Sequence, residues 1–503
     1  MSQTVVMVPP RTVAGAAWGA LDSGDSSSAK RLANMLDRDD LTARHFFHGS
    51  TVFHKACSTG HLKLVDTLLP AIKSQAPNVL LLPDHVGNSP LFAAVNCAKS
   101  LPVAQRLLAS GYATELHRRT NAGQLCTHAA ADVGDVELLK AVSAFDPAAR
   151  PGSSGYLWTL QLLQSQDNFG CSPLFVAALQ GHEDVVRWLL SFPTLDVNAS
   201  NRSGCTPFLA ACERDHVAVV ALLASDPRMS VVRVNVLGLS PFAAACRAGS
   251  AEAVKLLMRD TRIDVSRRTG EGCTPFFEAA LRGQLDVVKI LARSNRINVN
   301  RATRPTSWTA LYVAACTRAG VCTCVRMWGR AFSHARGCVD PRRYGACFAG
   351  HVDVVKFLLT LPSVDVHRAD SSGWSPIHVA CFMGRLDIIR ALHASGRVDV
   401  NSPTLHGTSG FAIACQHRNR LVVGVLLELA GEQIQPSVFF HEGRLLTYVA
   451  HTHTHARTHT HTHGYSPRPT ALLLLTVTLS VLLSKPLKYP PTVRSPEGVL
   501  PTS

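Results

Sequence analysis

The stretch SPLFVAALQGHEDVVRWLL at residues 172–190 decides the fold. Ser172 stands just before Pro173. A serine there can offer its side-chain oxygen to the unpartnered amides that open a helix, and proline at the first helical position gives up an amide that has no partner anyway. Small residues follow, Ala177 and Ala178, and then Gly181, which can take a positive φ and stop the helix. Beyond it Val185, Val186, Leu189 and Leu190 fall on one face of a second helix. The string spells helix, turn, helix, with an apolar face that one pair cannot bury by itself.

The same grammar returns as TPFLAACERDHVAVVALLA (206–224), SPFAAACRAGSAEAVKLLM (240–258) and TPFFEAALRGQLDVVKILA (274–292), so that Pro173, Pro207, Pro241 and Pro275 stand 34 residues apart. The helix-stop slot holds Gly181, Gly249, Gly283 and Gly384, and the small slot holds Ala177/Ala178, Ala211/Cys212, Ala245/Cys246 and Ala279/Ala280, as neighbouring helices in a stack require. The pattern resembles the ankyrin repeat. A looser spelling places equivalent positions at Val52, Pro90 and Cys126 on one side and at Ala310, Pro376 and Gly410 on the other. The resemblance covers ten units from about 50 to 430, with a weaker one starting near Ala16. It implies an all-α repeat fold, an ankyrin solenoid of helix-turn-helix pairs. Between the pairs, DVN-like turns and Gly204, Gly238, Gly272 or Gly373 imply projecting β-hairpin loops. Atypical end units are expected to act as caps.

The organisation expected is therefore an N-terminal segment at 1–49 carrying a degenerate capping repeat, an array at 50–430, and a low-complexity, disordered tail at 431–503. The stretch between Phe145 and Gln166, which includes DPAARPGSSG, lengthens one spacing to 47 residues and reads as a surface loop. Removing residues 315–346 joins LYVA to CFAGHVDVVKFLL and restores the pattern, so this non-repeat insertion falls in the middle of a helix and reads as translated non-coding sequence. The tail holds HTHTHARTHTHTH at 451–463, read as a translated dinucleotide tract, and an apolar run at 471–483 that is too short for an ordinary membrane span.

Composition narrows the function. Of the net charge of +15, residues 315–346 carry +5 and residues 431–503 carry +3, leaving a mild +7 elsewhere; neither nucleic acid nor membrane is the expected partner. No signal segment opens the chain, and the 15 cysteines do not form a dense framework, so the expected compartment is the cytoplasm, with the nucleus as the alternative, and not a secreted one. No phosphate loop, dinucleotide fingerprint, metalloprotease helix, nucleophile elbow or paired CxxC stands in a supporting context. His54, His128, His378, His182 and His351 occupy slots where the family places structural histidines, and Cys57, Cys171, Cys205, Cys212, Cys246, Cys273, Cys381 and Cys415 read as packing residues. No catalytic residue, metal ligand or cofactor is expected. The expectation is a monomeric, non-catalytic scaffold that binds a protein partner of acidic character in the concave groove. Candidate contacts are Arg202, Arg214, Arg247, Arg268, Arg282 and Arg304, about one per unit, with Leu237 and Leu281 as apolar anchors. The competing readings are an adaptor that recruits substrate to a ubiquitin ligase or another enzyme, and a mis-spliced product with a membrane-tethering tail. The asparagines of the turns, Asn198, Asn300 and Asn401, resemble residues hydroxylated in some members of the family.

Overall fold

The structure, a computed structural model, describes residues 13–430 apart from 24–27, 29–30, 32–33, 46–47, 98–100, 144–153, 317–350 and 418. The chain divides into two compact units, Met1–Arg304 and Pro305–Ser503.

In the first unit each regular repeat is a pair of short helices: Pro173–Gln180 with Glu183–Leu190, Pro207–Glu213 with Val217–Ser225, Pro241–Ala248 with Ala251–Arg259, and Pro275–Leu281 with Leu285–Ala292. The first helices start as their sequence dictates. The hydroxyls of Ser172, Thr206, Ser240 and Thr274 each accept the amide three residues on, at 3.2 Å, and proline follows at once. Each such cap stabilises its helix by about 1 kcal/mol. Gly181 ends the first of these helices at φ 84°, close enough beneath the next unit that a Cβ would lie 2.5 Å from the His216 ring. The second repeat departs from the rule. Asp215 takes the glycine slot at φ 59°, a conformation costing about 1–2 kcal/mol for an L residue, and its carboxylate accepts the amide of Ala253 in the next pair at 3.0 Å.

Ala177, Ala178, Ala211, Cys212, Ala245, Cys246, Ala279 and Ala280 are all fully buried, and neighbouring first helices pack more closely than neighbouring second helices do. Val185, Val186, Leu189, Val219, Val220, Leu223, Val254, Leu257, Val287, Val288 and Leu291 are fully buried too, so the core lies between the two helical layers. Three arginines one repeat apart join successive pairs. Arg228 donates to the carbonyls of Leu190 and Phe192, Arg262 to that of Ala224, and Arg296 to those of Met258 and Ile263. Most of these acceptors lie at or just past the end of a second helix, where carbonyls lack intrahelical partners.

The loops between pairs project as tight turns. Asp167 accepts the amides of Phe169 and Cys171, Asn201 those of Ser203 and Cys205, and Asn235 those of Leu237 and Leu239. Each tip then donates one amide to the carbonyl of the tip before it: Asn168 to Ala122, Arg202 to Phe169, Val236 to Ser203 and Gly270 to Leu237. Among the described residues the turns contain no β-strands, and an isolated bridge pairs Pro403 with Ser409. Each turn pairs its arms through one main-chain bond, Asp167 to Cys171, Asn201 to Cys205 and Asn235 to Leu239, too few for a ladder.

The stretch expected to be a loop after Phe145 is helical in its second half. Ser154–Gln164 forms a helix that buries Tyr156, Thr159, Leu162 and Leu163 and anchors through the Tyr156 hydroxyl at 3.2 Å from that of Thr194. Near the N-terminus, the helix Val13–Asp22 packs on Val52–Ser58.

In the second unit, Ala310–Cys316 packs against both Val352–Thr360 and Pro376–Met383. The first two sit as the helices of one pair although 35 residues separate them in the sequence. Ala315, fully buried, and Cys316 belong to this helix, so the expected insertion begins inside ordered structure; residues 317–346 and the tail lie outside the described residues. Ser307 takes the turn-glycine slot at φ 60°, and Tyr312 donates its buried hydroxyl to Asp370 at 2.9 Å. Among the described residues no helix is long and apolar enough to cross a membrane.

Candidate partner-binding surface

The arginines singled out from the sequence separate into two sets. Arg202, Arg268 and Arg304 belong to the turns. Arg202 is exposed at a tip, Arg268 is half-buried with Nη1 donating to the Gly272 carbonyl at 2.6 Å, and exposed Arg304 donates its backbone amide to that same carbonyl at 3.3 Å. Arg214, Arg247 and Arg282 sit at the ends of first helices. Leu237 is half-buried in its turn. Leu281 is not an available anchor: it is 8% exposed, because the seventh position of its helix points into the stack. Among the exposed apolar residues, Phe169 (64%) and Val236 (71%) stand at turn tips. A tip is recognisable in the sequence as the pair preceding the turn glycine, so these two were within reach of a reading that had placed the turns first.

Arg247 and Arg282 flank Glu278, a residue 3% exposed in a slot where the preceding repeats carry Val176, Ala210 and Ala244. Burial raises its carboxyl pKa, with Arg247 and Arg282 opposing the rise. The ligand atoms of Glu271, Cys273 and Glu278 lie within 4.8 Å of one another, a set able in principle to hold a cation. Burial raises the Cys273 thiol as well, and the hydrogen bond between Cys273 and Glu278 raises the thiol further while it lowers the Glu278 carboxyl.

The remaining titratable slots are structural. Nδ1 of His54, His128 and His378 accepts the backbone amide of Thr51, Leu125 and Ser375, while Nε2 reaches the carbonyl of Asn88, Cys171 and Ser402 in a following turn. Burial lowers the pKa of all three, that of His54 from 6.5 to about 4. The cysteines of the small-residue slot, Cys57, Cys212, Cys246, Cys381 and Cys415, are buried with thiols raised by desolvation, the opposite of an activated nucleophile.

The family profile for ankyrin repeats matches residues 91–201, 127–235, 242–327 and 344–437. The chain belongs to the ankyrin-repeat family. The gap between the last two matches falls inside the non-repeat stretch 315–346. Among solved structures, the crystal structure of the human ASB11 ankyrin repeat domain is similar at 25% identity and a TM-score of 0.39, covering 52% of this chain and 100% of that one. No curated protein matches the chain. Ankyrin repeats generally serve as protein–protein interaction modules, and their fold is typically non-catalytic.

Proposed function

We propose that this ankyrin array is a non-catalytic scaffold that binds a protein partner of acidic character along the turn tips and first-helix ends between about residues 167 and 305. The observation that carries the reading is the pairing of exposed apolar tips, Phe169 and Val236, with exposed Arg202 in one row of turns tied by backbone hydrogen bonds. A row held in this way fixes the backbone from which these side chains project, so less ordering entropy opposes binding. The cations then govern encounter rate and salt sensitivity, and the apolar tips supply affinity.

The test pairs two variants, R202E/R214E and F169S/V236S. Arg247 and Arg282 are left alone, because a glutamate at either would stand beside buried Glu278 and unsettle the fold. With helical content and melting unchanged, both variants should deplete the set of proteins retained from lysate by the unmodified chain. A retained set that is unchanged in both, but lost on deleting residues 431–503, places recognition in the tail and defeats the proposal.

A further inference from the structure

Arg267, Arg268, Arg301 and Arg304 lie on two consecutive turns, and none makes an ion pair among the described residues. Their backbone bonds hold them in place: Arg267 Nη1 to Val232 O and Arg301 Nη1 to Ser266 O, each at 3.3 Å, with Arg268 Nη1 and the Arg304 amide sharing the Gly272 carbonyl. A guanidinium has five N–H donors, so most of this donor capacity remains unspent. The acids of the first turn are directed elsewhere. Asp264 accepts the amide and hydroxyl of Ser266 at 2.9 Å, and Glu271 turns toward Cys273 and Glu278. Arg268 has its pKa lowered by burial and then by the charges of Arg301 and Arg304.

We infer that Arg268, Arg301 and Arg304 form a binding site for a phosphoryl group carried on an extended segment of the partner. The inference rests on the reading of this side as the docking face and names the chemistry that part of it takes. Carboxylates spread along a peptide would call for cations spread along the row, as Arg202 is by itself in its own turn. Here Arg301 and Arg304 of one turn are bonded against the turn that carries Arg268, a grouping that suits a single group of charge near −2 with three acceptor oxygens, bound by forked guanidinium donors.

The experiment uses the full chain and a degenerate pool of peptides with a fixed central phosphoserine or phosphotyrosine, beside the same pool after phosphatase treatment and a pool with glutamate at the central position. Retention is measured at about 100 mM salt, where charges about 10 Å apart still interact. We expect the phosphorylated pool to be retained about ten-fold more strongly than either other pool, a difference of about 1.4 kcal/mol. R268Q/R301Q/R304Q should abolish that preference, and R268K/R301K/R304K, which keeps charge but loses the fork, should reduce it. R202E/R214E should leave it intact; if that variant loses partner binding yet keeps the phosphoryl preference, the two ideas are separately supported. Equal retention of the glutamate pool, no preference for the phosphorylated pool, or a preference that survives the glutamine variant with its helical content unchanged each overturns the site.

Discussion

The four regular pairs from Pro173 to Ala292 and the less regular pairs on either side of them solve one problem in two ways. In the slot three residues past the cap, the central pairs place Phe175, Leu209, Ala243 and Phe277, all buried, and rely on a hydroxyl cap, a proline and, for three of them, the neighbouring arginines Arg228, Arg262 and Arg296 to hold successive pairs together. Outside this block three pairs use His54, His128 and His378 there, each holding its own cap with one ring nitrogen and a following turn with the other, while Phe92 and Ala412 keep the apolar solution under Ser89 and Ser409. Tyr312 reaches Asp370 from the same slot. Apolar burial makes a junction indifferent to pH, whereas an imidazole that must stay neutral does not.

The largest expected effect breaks this symmetry with acid. The folded pKa of His54 lies near 4, below the 6.5 of the unfolded chain, so the unfolded state binds the extra proton first. Stability from this residue is present in full above 6.5 and is lost as pH falls toward 4, by about 3 kcal/mol over the window at about 1.4 kcal/mol per unit. His128 and His378 shift in the same direction. Hydrogen exchange at pH 7 and near pH 4.5 should show amides of Val52–Ser58, Cys126–Val133 and Pro376–Met383 losing protection before those of Pro207–Glu213 and Pro241–Ala248. Uniform loss across all five helices would erase the distinction.

A smaller effect is expected in the central block. Arg228→Met removes charged hydrogen bonds to Leu190 and Phe192 and the partner of Asp226, and should cost about 2 kcal/mol in urea melts. Asp226, whose carboxyl is held low chiefly by the hydrogen bond from Arg228, should then titrate closer to the ordinary carboxylate range in NMR. The smallest is Thr206→Ala, expected to cost about 1 kcal/mol, since the Leu209 amide loses its only side-chain acceptor and no imidazole stands by to hold the turn.

Much of this difference was legible in the sequence, since caps, stop glycines, small slots and the slots of His54, His128 and His378 are local in the chain and recur with the period. What was not legible depended on partners that carry no side-chain signature. The spacing of Arg228, Arg262 and Arg296 is visible, yet their acceptors are backbone carbonyls of the preceding pair. The helix Ser154–Gln164 has apolar residues around most of its circumference, YLWTLQLL, so no face stood out, and the Gly/Ser/Pro-rich run before it suggested a loop. Leu281, expected as an apolar anchor of the groove, is turned inward by its helix. Asp215 hid as one more charged letter beside Arg214, though its slot demanded glycine.

The row of turns has a bearing on how such a chain changes over generations. Each tip joins the one before it through a main-chain hydrogen bond, Arg202 to Phe169, Val236 to Ser203 and Gly270 to Leu237, and the residues forming these joints share no chemistry. The clasp does not read the letter it is made from. Mutation can therefore rewrite the outward alphabet at residues such as Arg202 and Val236 while the scaffold beneath stays constant, and a lineage can exchange one partner for another without first passing through an unstable ancestor.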